Sequence, residues 1–223
     1  NIPLLSWIFL GGKCSGCHQP ISARYFLVEL MVGLLYALIF LTVIVRPLPA
    51  PALLFYWIFA SILVCSAFTD CETGIIPNQF TYLGLALGLI LSPLCPAFWH
   101  TASRPAALLL CAGSALIAGG LMSGCALLGK WIFRREALGW GDVKLVAAAG
   151  AMLGLPGAMF MVTAGCLLAL AGFPLLRLLV HKYRHRKTLK FGPFLAMGGL
   201  LWIFLSSAQF FLDFLQKIQL CGL

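Results

Sequence analysis

The sequence predicts an all-α polytopic membrane protein with about six to seven transmembrane helices and a small Cys-containing loop on the cytoplasmic side. Composition is the first reason, because 62% of the 223 residues are hydrophobic, only 9% are charged and the mean hydropathy is +1.02. A soluble domain carries about a quarter charged residues. Lipid must therefore cover most of this surface. The second reason is a series of apolar runs of membrane length, separated by prolines and glycines.

Seven apolar stretches follow one another along the chain, and a helical span needs about 20 such residues. The fifth stretch is short, and the turn residues Gly154 to Gly157 separate it from the sixth. We expect these two stretches to be separate crossings. The stretches cover residues 25–45, 53–68, 80–94, 105–128, 143–155, 157–180 and 191–214.

The net charge of +9 is unevenly distributed. Positive residues favour the cytoplasmic side, so Lys13 and Arg24 place the start of the first span inside. The run 181–190 is the most basic and is also expected inside. Alternation then leaves Arg46, Arg104 and Lys217 outside. The charge thus indicates orientation and contact with anionic membrane lipid, and no nucleic-acid partner is expected.

The first segment carries the pair Cys14 and Cys17, spaced Cys-x-x-Cys. We predict a loop-rich cytoplasmic element over 1–24 and a membrane-embedded domain over 25–223. The chain opens at Asn1 on an apolar run without the charged start of a signal peptide. We expect it to begin inside a longer protein.

Two of the six acidic residues lie at predicted helix ends. Asp70 ends the second span and Asp142 begins the fifth, so the charge pattern places both at the inner membrane face. Acids in such positions are costly and are often functional. The structural alternatives are a helix cap for Asp142 and an ion pair for Asp70. Two adjacent carboxyls can share a proton, so that one activates water while the other donates to the leaving group.

Glycines surround Asp142, and Gly139 and Gly141 let another chain approach closely. The sequence here resembles the type IV prepilin peptidases, membrane-embedded aspartyl proteases with a Gly-x-Gly-Asp signature. The resemblance spans nearly the whole chain. It rests on NIPLLSW at 1–7, KCSGC at 13–17, PISARYFLVEL at 20–30, TDCETGIIPNQFT at 69–81, GWGDVKLVAAAGAMLG at 139–154 and FGPFLAMGG at 191–199.

The resemblance implies that Asp70 and Asp142 are the catalytic aspartates of an enzyme in the bacterial inner membrane. Its implied partners are type IV prepilin or pseudopilin precursors, whose basic leader is cut after a glycine at the cytoplasmic face. Gly139 and Gly141 support the site in this prediction. For Lys144 the alternatives are tuning of Asp142 and a lysine reaching the interface. Those for Asn78 are a helix cap and ordering of the Asp70 loop.

Many members resembling this chain also methylate the new N-terminus with S-adenosylmethionine, and Glu29 is the candidate donor contact. The alternative for Glu29 is an ion pair with Arg24 or another loop cation. Members of this kind typically carry two Cys-x-x-Cys pairs that look like a zinc knuckle. Cys14 and Cys17 are accordingly candidate zinc ligands, with His18 or Cys71 as candidate additional ligands. The alternatives for the cysteine pair are a redox dithiol and a purely structural role.

Two other classes of function compete with a peptidase. An ion- or proton-coupled transporter would also use membrane acids, but it would place them near mid-membrane rather than at helix ends. A membrane thiol oxidoreductase would need its cysteine pair near the outer face. The sequence therefore favours the peptidase.

Overall fold

The computed structural model describes residues 4–45, 51–99, 101–135, 138–179 and 190–205. All regular secondary structure in these residues is helical. The helices are α1 Leu5–Phe9, α2 Ala23–Val45, α3 Pro51–Thr73, α4 Asn78–Leu91, α5 Arg104–Phe133, α6 Trp140–Leu179 and α7 Gly192–Leu205, with a 3₁₀ turn at Pro96–Trp99.

Four of these helices are long and apolar enough to cross a membrane. They cover Ala23–Ile44, Pro51–Thr73, Arg104–Phe133 and Trp140–Pro174, while α4 and α7 are shorter apolar helices. Large apolar side chains such as Leu109, Leu116 and Leu170 are about three-quarters exposed on the outer surface. In water that exposure would be costly, and in lipid it is favourable. The predicted all-α polytopic membrane fold is confirmed.

The helix α6 is broken at Gly154, whose φ of 75° and ψ of 173° are not helical. Its first part, 140–153, packs alongside α4 and runs parallel to it. The contacts of Gly84 with Ala148 and of Gly88 with Ala151 show this direction. Small residues at these crossings let the helix backbones approach closely.

The second part of α6 runs in the opposite direction to α7, because Gly157 meets Trp202 and Gly165 meets Leu195. The helix α7 in turn runs antiparallel to α3, and α3 runs antiparallel to α4. The two parts of α6 are therefore themselves antiparallel. This is the expected reversal at Gly154.

These directions bring several polar helix ends together at one end of the bundle, here called the polar end. It holds the start of α2, the end of α3, the starts of α4 and α6, and the two residues that precede α7. Contacts across it join Arg24 to Glu72, Lys144 to Asn78, and Lys190 to the backbone of α3. Below the polar end the core is apolar, with Phe55, Phe59, Leu63, Leu145 and Met152 almost fully buried.

Details of the predicted elements differ from the structure. The loop segment 1–24 contains the short helix α1, and the third span begins at Asn78 instead of residue 80. The predicted outer residues Arg46 and Lys217, most of the basic run 181–190, and the last stretch beyond 205 lie outside the described residues.

Candidate active site

Asp70 lies near the end of α3 and is only 7% exposed. Its Oδ2 accepts a hydrogen bond of 3.1 Å from the backbone N–H of Gly192, at the start of α7. A Cβ on residue 192 would lie 2.8 Å from the same oxygen, which is closer than real contacts permit. Glycine at 192 is therefore what allows α7 to begin directly against the Asp70 carboxyl.

Lys190 holds the same junction from the other side. Its Nζ donates to the backbone carbonyl oxygens of Asp70 at 2.8 Å and Cys71 at 2.9 Å. The last carbonyls of a helix have no partner within the helix, and a lysine there is a favourable cap. The sequence prediction treated Lys190 only as part of a basic run. Its position immediately before Phe191-Gly192-Pro193 is the signal that could have singled it out.

Asp142 lies in the first turn of α6, where a negative charge suits the positive end of the helix. Its own backbone N–H donates to the carbonyl of Gly139 at 3.1 Å. The charge of Asp70 acts on Asp142, so the two carboxyls lie within electrostatic range of each other. Distant segments of the chain thus bring the two predicted acids to one place.

The two glycines before Asp142 make this approach possible. A Cβ on residue 139 would lie 3.2 Å from Oδ2 of Asp142, and one on residue 141 would lie 3.0 Å from Cβ of Ile76. Ile76 belongs to the short connection that follows α3. Gly141 therefore lets α6 begin close to the loop that follows Asp70.

Lys144 and Asn78 contact each other. Lys144 Nζ donates to Oδ1 of Asn78 at 2.8 Å and lies 5.4 Å from the ring centre of Tyr82. Capping of α4 by Asn78 was wrong, because Pro77 occupies the cap position without a side-chain hydrogen bond. Capping of α6 by Asp142 was also wrong, because that helix already begins at Trp140. The amide of Asn78 instead ties the start of α4 to α6 at Lys144, two residues after Asp142.

The N-terminal segment is attached to the polar end through Arg24, which forms an exposed ion pair with Glu72. Glu29 accepts a 3.0 Å hydrogen bond from the backbone N–H of Leu4. The predicted alternative of an ion pair between Glu29 and Arg24 was therefore wrong, because Arg24 pairs with Glu72 and Glu29 bonds Leu4. Beside Glu29 lies a cleft of about 250 Å³, whose lining includes Trp7, Lys13, Cys14, Tyr25 and Phe26.

Cys14 and Cys17 lie in a tight loop closed by the hydrogen bond from the N–H of His18 to the carbonyl of Cys14. Four ligands are usual for structural zinc. Within the described part of the chain, no third His, Cys, Asp or Glu joins the pair to form a metal-binding group. The described residues do not fit zinc, so the zinc prediction lacks support. Backbone hydrogen bonds from Cys17 and Gly16 instead lower the pKa of the Cys14 thiol.

Two family models match the chain. The model of the type IV leader peptidase family matches residues 57–173, which carry both aspartates, and that of the bacterial peptidase A24 N-terminal domain matches residues 1–43. The chain belongs to the type IV leader peptidase family. The family resemblance expected from the motifs is therefore confirmed.

The chain is similar to curated proteins that are named prepilin leader peptidase/N-methyltransferase, among them those of three species. The protein of Aeromonas hydrophila is 37% identical over 91% of this chain and 66% of its own length. That of Burkholderia pseudomallei (strain K96243) is 37% identical over 95% and 64%. That of Dichelobacter nodosus is 35% identical over 94% and 67%. The chain thus spans just under two thirds of the first of these relatives. No solved structure matches it.

Proposed function

We propose that this protein is an intramembrane aspartyl endopeptidase that removes the leader from type IV prepilin or pseudopilin precursors, with Asp70 and Asp142 as its catalytic pair. One observation carries the proposal. The two acids come from separate helices, α3 and α6, whose ends meet at the polar end of the bundle, where Gly141 packs against Ile76 in the connection that follows α3. Family membership and the names of the curated relatives agree with this activity.

The proposed pair supplies what amide hydrolysis requires. A neutral water must lose a proton to become an effective nucleophile, and the leaving nitrogen must gain one. Two nearby carboxyls cannot both ionise easily, so they hold one proton between them. The ionised carboxyl takes the proton from water, and the protonated one donates to the carbonyl oxygen.

The location of the pair suits a substrate whose cleavage site lies at the membrane surface. We propose that the polar end faces the cytoplasm in the bacterial inner membrane, because it holds Lys13, Arg24, Lys144 and Lys190, as the positive-inside preference requires. A basic leader would then stay on that side and be cut after its glycine.

The test is cleavage of a prepilin precursor in detergent by single-site variants. We expect Asp70→Asn and Asp142→Asn each to reduce kcat/KM by more than about 1,000-fold, because each substitution removes one of the two proton transfers. Glu72→Gln is the matched control, since it removes an acid next to the site without touching the pair. Cleavage retained by either aspartate variant, in protein that elutes as wild type on gel filtration, would remove that residue from the pair.

A transporter that uses the same two acids is distinguished by this assay, because it would not process the precursor. The placement of both aspartates near helix ends also disfavours it, since coupling acids are expected deep within the membrane.

We also propose N-methylation of the new N-terminus as a second activity, carried by the N-terminal segment. The cleft beside Glu29 has a suitable set of groups for S-adenosylmethionine, which is a sulfonium cation that supplies the methyl group. The Glu29 carboxylate would attract that charge, and the faces of Trp7, Tyr25 or Phe26 would stabilise it. Glu29→Gln should weaken donor binding in equilibrium dialysis while leader cleavage continues. Unchanged donor binding would place the site elsewhere.

A further inference from the structure

The residue Lys190 links the beginning of α7 to the end of the helix that carries Asp70. Its ammonium group bonds the carbonyl oxygens of Asp70 and Cys71 and contributes a positive charge that acts on Asp70 itself. Two residues later, the N–H of Gly192 bonds the Asp70 carboxyl. A cation and a backbone N–H are thus delivered to one carboxyl by one short segment.

The two carboxyls of the pair consequently have different surroundings. Asp70 has the ammonium of Lys190 and the amide of Gly192, both of which favour a negative charge. Asp142 has the positive end of α6 beside it, but it also faces the negative charge of Asp70, and the nearby Lys144 is engaged by Asn78. Among the described residues, further charged or titratable groups around Asp70 are Cys71 and Glu72 on its own helix and Arg24 on α2.

We propose that Lys190 is a positioning residue that makes Asp70 the ionised member of the pair and Asp142 the protonated member. The inference rests on the proposed peptidase function and adds the assignment of the two roles. Lys190 acts through Asp70 and its helix end, without contact with the substrate. Gly192 acts in the same direction, because its amide bonds the carboxylate form.

The assignment fixes the path of each proton. The Asp70 carboxylate takes a proton from water as the water oxygen attacks the scissile carbonyl carbon, and Asp142 gives its proton to the carbonyl oxygen. The resulting diol then expels the amine as the carbon–nitrogen bond breaks. Asp70 passes the proton from water to the leaving nitrogen, and Asp142 regains its own from a diol hydroxyl as the carbonyl reforms.

The experiment is the pH profile of kcat/KM on a prepilin precursor for the full chain and two variants. Lys190→Gln removes the positive charge but keeps an N–H group that can donate to the α3 carbonyls. Lys190→Arg keeps both the positive charge and the N–H donors. Without the cation, Asp70 ionises less readily, so the acidic limb of the profile should move to higher pH by about one unit. On the acidic side of the limb, where the rate depends on the ionised fraction of Asp70, kcat/KM should fall about tenfold, and on the plateau it should change little. The arginine variant should recover most of the rate and the original limb.

A merely structural lysine would lower the amount of folded protein without moving the limb. Lys130→Gln, on the last turn of α5, is the control and should leave the profile unchanged. If Lys190→Gln cleaves with the wild-type profile, or its acidic limb moves to lower pH, the proposal is overturned. The outcome is separate from that of the peptidase proposal, which fails only if Asp70→Asn or Asp142→Asn remains active.

Discussion

The backbone amide of Gly192 lies 3.1 Å from Oδ2 of Asp70, although the two residues are 122 positions apart. This contact joins the first residue of α7 to the last turns of α3. The approach is so close that a Cβ at 192 would also lie 3.0 Å from Cβ and Cγ of Asp70. Residue 192 thus sets where the carboxyl can point.

Gly192→Ala should therefore displace the Asp70 carboxyl and weaken its hydrogen bond. We expect kcat/KM for precursor cleavage to fall at least tenfold, because a misplaced catalytic group loses much of its effect. The loss should appear mainly in kcat, since the leader need not contact residue 192.

The matched control is Gly124→Ala on α5, where an added Cβ would meet no atom within 4 Å. This variant carries the same chemical change and should cleave at the wild-type rate. Equal activity of the two alanine variants would mean that Asp70 does not depend on the position of α7.

The sequence alone was sufficient to predict that Asp70 and Asp142 lie near helix ends that come together, which is where the structure has them, at the polar end of the bundle. Composition required membrane helices, and alternation of positive charge determined which helix ends lie together. The sequence also predicted the reversal at Gly154, because placing both Asp142 and the basic run 181–190 inside requires two crossings, with the turn at Gly154 to Gly157. These inferences depend on patterns that are local in sequence.

Contacts between distant side chains could not be inferred in this way. Asparagine is a residue type that often caps helices, but Asn78 instead accepts a hydrogen bond from Lys144, because packing of α4 against α6 brings that lysine within reach. Arg24 had several acids available, and only the antiparallel packing of α2 on α3 selects Glu72. Lys190 belongs to a basic run by composition, and its contact with α3 depends on where α7 begins.

The packing of α6 against α5 gives a second prediction. A Cβ on Gly150 would lie 2.7 Å from the carbonyl oxygen of Ser114 and 2.9 Å from Cα of Ala115. Because backbone cannot yield as a flexible side chain does, Gly150→Ala should destabilise the protein by about 1–3 kcal/mol. Thermal unfolding in detergent would show this as a lower Tm.

The control for this substitution is Gly113→Ala, on the neighbouring helix α5, where the structure has open space around the added Cβ. Its Tm should equal that of the wild type or exceed it slightly, because alanine favours a helix. A Gly150→Ala protein as stable as Gly113→Ala would show that the two helices are less closely packed than described.

The loop around Cys14 gives a third prediction, which concerns pH. The backbone amides of Cys17 and Gly16 bond the Cys14 sulfur and lower the pKa of its thiol. A lowered pKa means that the reactive thiolate is present at lower pH in the folded loop than in the unfolded chain. The alkylation rate of Cys14 should therefore rise at a lower pH in the folded protein than in the same protein denatured in urea.

The measurement is iodoacetamide labelling over roughly pH 6 to 10, the range in which thiols titrate. Mass spectrometry of the labelled peptides gives the rate curve of Cys14 in the folded and in the denatured protein. Replacing Gly16 by proline removes one of the two N–H groups and should move the folded curve toward the denatured one. If the two curves coincide in the wild type, the loop does not stabilise a thiolate at Cys14.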